Sequence, residues 1–201
     1  MLVGGLALAL RWTSYGQALA LAAGLIIFNA FVLPRLPWIS ALLYRPGERE
    51  HWVSSGILLY PVSVFILIFL FPVPVVAAMW GLLSCGDGMA TLVGRRIGRV
   101  RLPWSRRKTL EGLLAFVLVG SISASALCWW SLPNVTSSPP WWRGEEAARF
   151  DSLDAGGIIL WCVLSSVASA LVETLELPVD DNLTVPLGGA CVMVGLAYAL
   201  T

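Results

Sequence analysis

Apolar runs about as long as a membrane is thick recur along the chain, separated by short polar or proline-rich breaks. They read as Gln17–Leu33, closed by Pro34, then Val53–Phe71, Val75–Val93, Leu110–Leu132, Ala155–Leu175 and Thr184–Leu200. About 20 apolar residues of helix cross the hydrocarbon core of a bilayer, so the pattern predicts about six transmembrane helices in one bundle. Met1–Leu10 is apolar but too short to span. The pattern leaves open whether it extends the first helix or lies at the interface. Pro61 falls inside the second run and predicts a kink. Asn29 falls inside the first and predicts an interhelical hydrogen bond. Ser121, Ser123 and Ser125 read as small packing positions. No internal repeat is evident.

Composition agrees. Hydrophobic residues make up 58% of the 201 residues, charged residues 12%, and mean hydropathy is +0.81. A soluble domain carries about 25% charge. The chain therefore reads as an all-α, polytopic integral membrane protein, one domain over residues 1–201, whose first partner is the lipid bilayer. No basic tract of nucleic-acid type lies outside one loop, so no nucleic-acid partner is expected. Cys85, Cys128, Cys162 and Cys191 lie in apolar runs without metal-type spacing and read as reduced packing residues. No basic stretch precedes Leu2–Leu10, so the start does not read as a cleaved signal or transit peptide. The expectation is a bacterial cytoplasmic membrane. If the loop at 94–109 faces the cytosol, alternation puts ten Lys and Arg residues on that side against three on the other, a clear positive-inside bias. Trp129, Trp130, Trp141 and Trp142 then fall at the outer interface.

The chemistry concentrates in Cys85–Gly112. Seven of the thirteen Lys and Arg residues lie here: Arg95, Arg96, Arg99, Arg101, Arg106, Arg107 and Lys108. About two helical turns before them, Asp87 sits inside an apolar run between Gly86 and Gly88. An ionisable residue inside a span costs a few kcal/mol and usually marks a site. Alternation brings two further polar sets to the same membrane face. One is His51 with Arg49. The other runs from Glu173 to Asp180, Asp181 and Asn182. Carboxylates to hold a cation beside basic groups to neutralise phosphate oxygens are what a metal-bound polyphosphate requires. Each part also has a plain structural reading. The basic loop sets topology, Asp180 and Asp181 cap a helix, His51 is interfacial, and Thr109 with Glu111 is ordinary first-turn chemistry. Gly94 and Gly98 allow close helix packing, and Asp87 is neutralised by a loop arginine.

At these residues the sequence resembles the CTP-dependent polyprenol kinases, the family of phytol kinase and dolichol kinase. The matching residues are Gly86-Asp87-Gly88, Ala90, Gly94 and Gly98, then Lys108-Thr109-Leu110-Glu111-Gly112, and later Asp180-Asp181-Asn182 with Pro186. Residues 49–190 are covered, and the runs GDGMATLVGRRIGRVRLPW and LPVDDNLTVPL look most like phytol kinase. Glu111-Gly112 is nearer the dolichol kinase version.

The resemblance implies transfer of a γ-phosphate from CTP, with Mg²⁺, to the hydroxyl of an isoprenoid alcohol at the cytosolic face. Asp87 and Asp181 are the leading Mg²⁺ ligands, with Glu173 and Asp180 possible. Arg95, Arg96 and Lys108 meet the phosphates, and Thr109 and Asn182 join the nucleotide-binding set. Gly86 and Gly88 let the backbone approach the nucleotide. Either Asp180 or Glu111 takes the alcohol's proton, and His51 is an outside candidate. No G-x-x-x-x-G-K-[ST] loop is present. The alternatives are a CDP-lipid-forming cytidylyltransferase, a CTP-dependent diacylglycerol kinase, and a transporter whose Asp87 lines an ion path.

Overall fold

The computed structural model describes residues 2–36, 38, 56–142, 154–175 and 179–200. Five helical stretches are long and apolar enough to cross a membrane: Tyr15–Arg35, Val73–Ile97, Leu110–Ser137, Ala155–Thr174 and Asp181–Ala199. A shorter apolar helix, Gly56–Leu70, lies between the first two of them in the chain. We name the helices α1 (Tyr15–Ile27), α2 (Gly56–Leu70), α3 (Val73–Gly81), α4 (Asp87–Ile97), α5 (Leu110–Ser131), α6 (Ala155–Thr174) and α7 (Asp181–Leu200). The all-α membrane bundle matches the expectation.

Leu2–Arg11 does not extend the first helix. Leu2–Arg11 is a 3₁₀ helix packed against α3 and α5, with Ala7 and Leu10 buried. A capping box ends any continuity with α1. Ser14 Oγ accepts from Gln17 N, and Gln17 Oε1 accepts from Ser14 N at 2.9 Å. At a rise of about 2.0 Å per residue the segment is about 20 Å long, and its contacts reach the turn just before Asp87.

Pro61 lies inside α2 and Pro186 inside α7. Pro61 has no N–H, so the Ile57 carbonyl one turn earlier loses its helical donor. Asn29 Nδ2, in the π-helical turn Phe28–Val32 that follows α1, donates to that carbonyl at 2.8 Å and ties this turn to α2. The interhelical hydrogen bond expected of Asn29 is therefore present, and its acceptor exists because of Pro61.

α3 and α4 are one continuous pass joined by a π-helical turn, Leu82–Gly86. The reason lies in the small residues. Gly86, Ala90, Gly94 and Gly98 recur every four positions, but Gly81 stands five before Gly86. All face α5. A Cβ on Gly81 would lie 3.0 Å from Ser123 O, one on Gly86 3.2 Å from Gly120 Cα, and one on Gly94 3.1 Å from Thr109 Oγ1. An ordinary helix would rotate Gly81 off that face. A single π turn absorbs the extra residue and keeps the whole stripe against α5. α5 answers with its own four-residue series, Gly112, Phe116, Gly120 and Ala124, all buried. Such small-residue stripes let membrane helices approach closely. The register they set decides where Asp87 points.

The two ends of the bundle differ. At one, Trp12 packs edge-on to Trp130 at 5.4 Å, Phe69 edge-on to Trp141 at 5.4 Å, and Trp142 beside Tyr198. Arg11 lies 4.4 Å over the Trp130 ring. This is the aromatic girdle expected of Trp130, Trp141 and Trp142. At the other end lie the basic segment and the acidic residues.

Candidate functional site

The basic segment is not an open loop. Arg101–Leu102 (β1) and Ser105–Thr109 (β2) form an antiparallel hairpin, with Leu102 opposite Ser105. Pro103 at the second position of a tight turn suits its fixed φ. Three ties hold the hairpin down. Arg101 Nη1 donates to Arg107 O at 3.1 Å, Leu110 N to Val100 O at 2.8 Å, and Trp104 Nε1 to Thr174 Oγ1 at 2.9 Å on α6. Lys108 then reaches Glu173, with Nζ to Oε1 at 2.6 Å. The Glu173 side chain is 4% exposed and that of Lys108 34%.

Between this hairpin, α4 and the end of α6 lies a polar cleft of about 470 Å³. Arg95, Arg101, Arg107 and Lys108 supply its cations, and Thr109 and Glu173 line it too. Gly94, Gly98 and Gly112 form its floor by leaving room for Thr109. Thr109 is held there as the N-cap of α5, its Oγ1 accepting from Gly112 N at 3.2 Å.

Several residues singled out in the sequence come together here. Lys108 and Glu173 are in contact, and Arg95 and Thr109 share their cleft. Asp87 and Asp181 both lie within electrostatic reach of Glu173. Asp87 is half-buried and also within electrostatic reach of Tyr60 on α2. Asn182 meets α2 from α7, its Nδ2 standing 3.0 Å from where a Cβ on Gly56 would be. Two of the three polar sets that alternation assigned to one face, those around Asp87 and around Glu173–Asn182, thus meet at one end, while Arg49 with His51 lies outside the described residues.

Other candidates have their atoms engaged elsewhere. Arg96 is exposed and is not among the residues lining the cleft. Gly86 is backed against Gly120 of α5, so its missing side chain serves helix packing. Gly88, next to Asp87, is half-buried. Asp180 Oδ1 accepts from Asn182 N at 2.9 Å and from Asn182 Nδ2 at 2.8 Å, which caps α7. The Asn182 amide is thereby turned to Asp180. Glu111 accepts from Arg99 N at 2.9 Å and, through both oxygens, from Val100 N at 3.2 and 3.3 Å. His51 lies outside the described residues. Among the described residues, no group of three or more His, Cys, Asp or Glu side chains is assembled to hold a metal. Arg101 and Arg107 belonged to the basic run but were not singled out. Only the hairpin's fold shows that they line the cleft.

Glu111 therefore clamps the chain between α4 and the hairpin. Glu111→Ala is expected to free two backbone N–H groups from a charge-assisted partner and loosen this junction locally. Trypsin should then cut within residues 95–107 several-fold faster than in the parent, while the rest of the bundle resists as before.

The fold and cleft define a polytopic membrane protein with a cationic cleft at one end of the bundle and Glu173 in its lining. The chain is 32% identical over 151 residues to the chloroplastic farnesol kinase of Arabidopsis thaliana, covering 73% of this chain and 44% of the relative. It is 32% identical over 150 residues to a probable chloroplastic phytol kinase of Triticum aestivum, covering 71% and 44%. To CTP-dependent diacylglycerol kinase 1 of Schizosaccharomyces pombe it is 26% identical over 152 residues, covering 75% and 63%. By sequence the chain is thus related to the CTP-dependent polyprenol kinase family, the family its motifs resemble. It spans less than half the length of the two plant relatives. No family model matches it, and no solved structure matches it. These relatives come from plants and a yeast and lend no support to a bacterial inner membrane. The apolar helices support an integral membrane protein.

Proposed function

We propose that this protein is a membrane kinase. It moves the γ-phosphoryl group of a nucleoside triphosphate, CTP in the lead reading, to the hydroxyl of an isoprenoid alcohol. The observation that carries this reading is the cleft of about 470 Å³ ringed by Arg95, Arg101, Arg107 and Lys108, with Asp87 within electrostatic reach of Glu173 in its lining. A triphosphate needs several cations, and a water-soluble donor meeting a membrane alcohol needs them at the interface. The alcohol oxygen forms the new P–O bond, the bond to the bridging oxygen breaks, and a nucleoside diphosphate leaves. The hydroxyl proton is released on the aqueous side. Phosphoryl transfer asks for alignment and charge neutralisation rather than covalent help from the protein.

Mg²⁺ commonly takes only one or two carboxylates, with phosphate oxygens and waters completing its shell. Asp87 and Asp181 fit that requirement as hard oxygen donors, and a three-carboxylate cage is not needed. A bound Mg²⁺ would neutralise phosphate charge. Glu173, held by Lys108, acts in this scheme as the anchor of a phosphate-binding lysine. The hydrogen bonds of Asp180 and Glu111 favour positioning roles for both. With the hairpin end facing the cytosol, as the ten-to-three charge bias favours, the donor arrives from the aqueous phase.

The test is purified protein in lipid with Mg²⁺, γ-labelled CTP and a panel of phytol, farnesol, a long polyprenol, diacylglycerol and phosphatidic acid. Label on an isoprenoid alcohol, with CDP as co-product, is the expected result. Label on diacylglycerol would keep the cleft and change the acceptor, as the yeast relative's name allows. CDP-lipid with pyrophosphate would make the protein a cytidylyltransferase. No turnover by folded protein would overturn the kinase reading and bring forward the transporter.

A further inference from the structure

A second cavity lies inside the bundle, toward the aromatic end from Asp87. It measures about 420 Å³ and is bounded by the N-terminal 3₁₀ segment, α1, α2 and α3. Its lining is apolar, with Leu25, Val64 and Ile68 as examples, and Leu6, Leu21 and Phe28 at its rim are exposed. In a bilayer such a rim opens sideways into lipid.

Two lining residues break the apolar character, Thr13 and Trp80, and the Thr13 hydroxyl is buried with no hydrogen-bond partner among the described residues. Trp80 is only 7% exposed, and its Nε1 is buried with no hydrogen-bond partner among the described residues. The Tyr60 hydroxyl is in the same condition. The two groups are close neighbours but do not meet hydrogen-bond geometry. Tyr60 in turn lies within electrostatic reach of Asp87 and Cys85. An orphan donor in a membrane interior is costly; Trp80 lines the chamber and Tyr60 stands next to Trp80, so a group that reaches both would relieve both.

We infer that this chamber holds the hydrocarbon chain of the lipid alcohol, and that Trp80 and Tyr60 receive its hydroxyl on the side facing Asp87. The inference rests on the kinase reading for its ligand. The chemistry narrows the occupant. A hydrocarbon tail alone leaves both polar atoms unpaired, and an ionic headgroup cannot sit among Leu25, Val64 and Ile68. A long chain ending in one neutral group that both donates and accepts satisfies both requirements, and an alcohol is such a group. Trp80 and Asp87 are seven residues apart on one continuous pass, about 10 Å of helix. The hydroxyl end is therefore on the Asp87 side of the chamber, about 15 Å of helix from Ala90 at the edge of the cationic cleft, and the alcohol advances along this pass to react.

Gly24 offers a direct test. It lines the chamber, and an added Cβ there meets nothing within 4 Å. Gly24→Leu should fill the chamber without disturbing α1. It should lower kcat/KM for phytol about tenfold more than for the shorter farnesol, the scale on which apolar pockets discriminate. Trp80→Phe keeps the ring and removes the N–H. It should raise KM for the alcohol about tenfold and leave KM for CTP unchanged. Binding is read independently of turnover with a phytol analogue carrying a diazirine at its tail. In nanodiscs without nucleotide, label should map to residues 18–28 and 61–68, be displaced by phytol, and be lost in Gly24→Leu. Label there without turnover in the CTP assay would uphold the chamber and sink the kinase reading. Turnover with label confined to other surfaces would overturn the chamber alone. Equal labelling by an analogue lacking the hydroxyl, or unchanged alcohol KM in Trp80→Phe, would overturn the role given to Trp80 and Tyr60.

Discussion

Asp87→Asn is expected to reduce turnover about 10³-fold, on the scale seen when one preorganised electrostatic group is removed from a reaction centre, and to leave the bundle folded. The substitution keeps the shape of the side chain and removes its charge. Asp87 is half-buried, follows the π turn directly, and lies within electrostatic reach of Glu173 on one side and Tyr60 on the other. It thus stands between the cationic cleft and the lipid chamber. A carboxylate retained at such a place in a membrane helix has a cost of a few kcal/mol that function must justify. The check is steady-state transfer from γ-labelled CTP, with size-exclusion behaviour in detergent as the control for folding. Activity within a few-fold of the parent would mean that Asp87 only balances a neighbouring arginine.

Lys108→Met should be the second severe change, because it strikes stability and the site together. The substitution leaves Glu173, whose side chain is 4% exposed, without its partner at 2.6 Å. Breaking a fully buried pair by removing one member costs about 3–5 kcal/mol. Lys108 is 34% exposed, so water screens part of the interaction and about 2 kcal/mol is the expectation here. The double variant Lys108→Met/Glu173→Gln removes the stranded charge and should recover most of that stability. It should not recover transfer, since the cleft still lacks its lysine. Thermal unfolding in detergent reads the first effect and KM for CTP the second. A double variant no more stable than Lys108→Met would show that the pair does not couple the hairpin to α6. A double variant with normal KM for CTP would remove Lys108 from the phosphate site.

The contrast between Asp87 and Glu111 shows what could be read from the chain and what could not. Both are acids near the basic segment, and both were candidates for chemistry. Asp87 stood out because an acid inside an apolar run has no inexpensive structural excuse. Glu111 has one: an acid in the first turn of a helix satisfies nearby backbone N–H groups. The structure gives it that task, with Arg99 and Val100 as the donors. Asp180 is a similar case, since an Asp ahead of a helix is as good a cap as it is a ligand. Gly86 shows the same ambiguity in backbone form. A glycine beside Asp87 suits a nucleotide's approach and a neighbouring helix equally, and Gly120 occupies the space.

The membrane class, the separation of basic and aromatic ends and the kinship signalled around Asp87 were all determined by the sequence alone. Each depends on run length, composition or local spacing, and a bilayer converts these into structure with few choices left. Three things were decided only by tertiary packing. The π turn before Asp87 exists to keep Gly81 in line with Gly86 against α5. The hairpin turns a basic run into the wall of a cleft because Trp104 and Lys108 find Thr174 and Glu173 on α6. The chamber beside Trp80 arises where the N-terminal segment, α1 and α2 fail to close over α3. All three depend on distances between residues far apart in the chain, and local pattern carries no information about those distances.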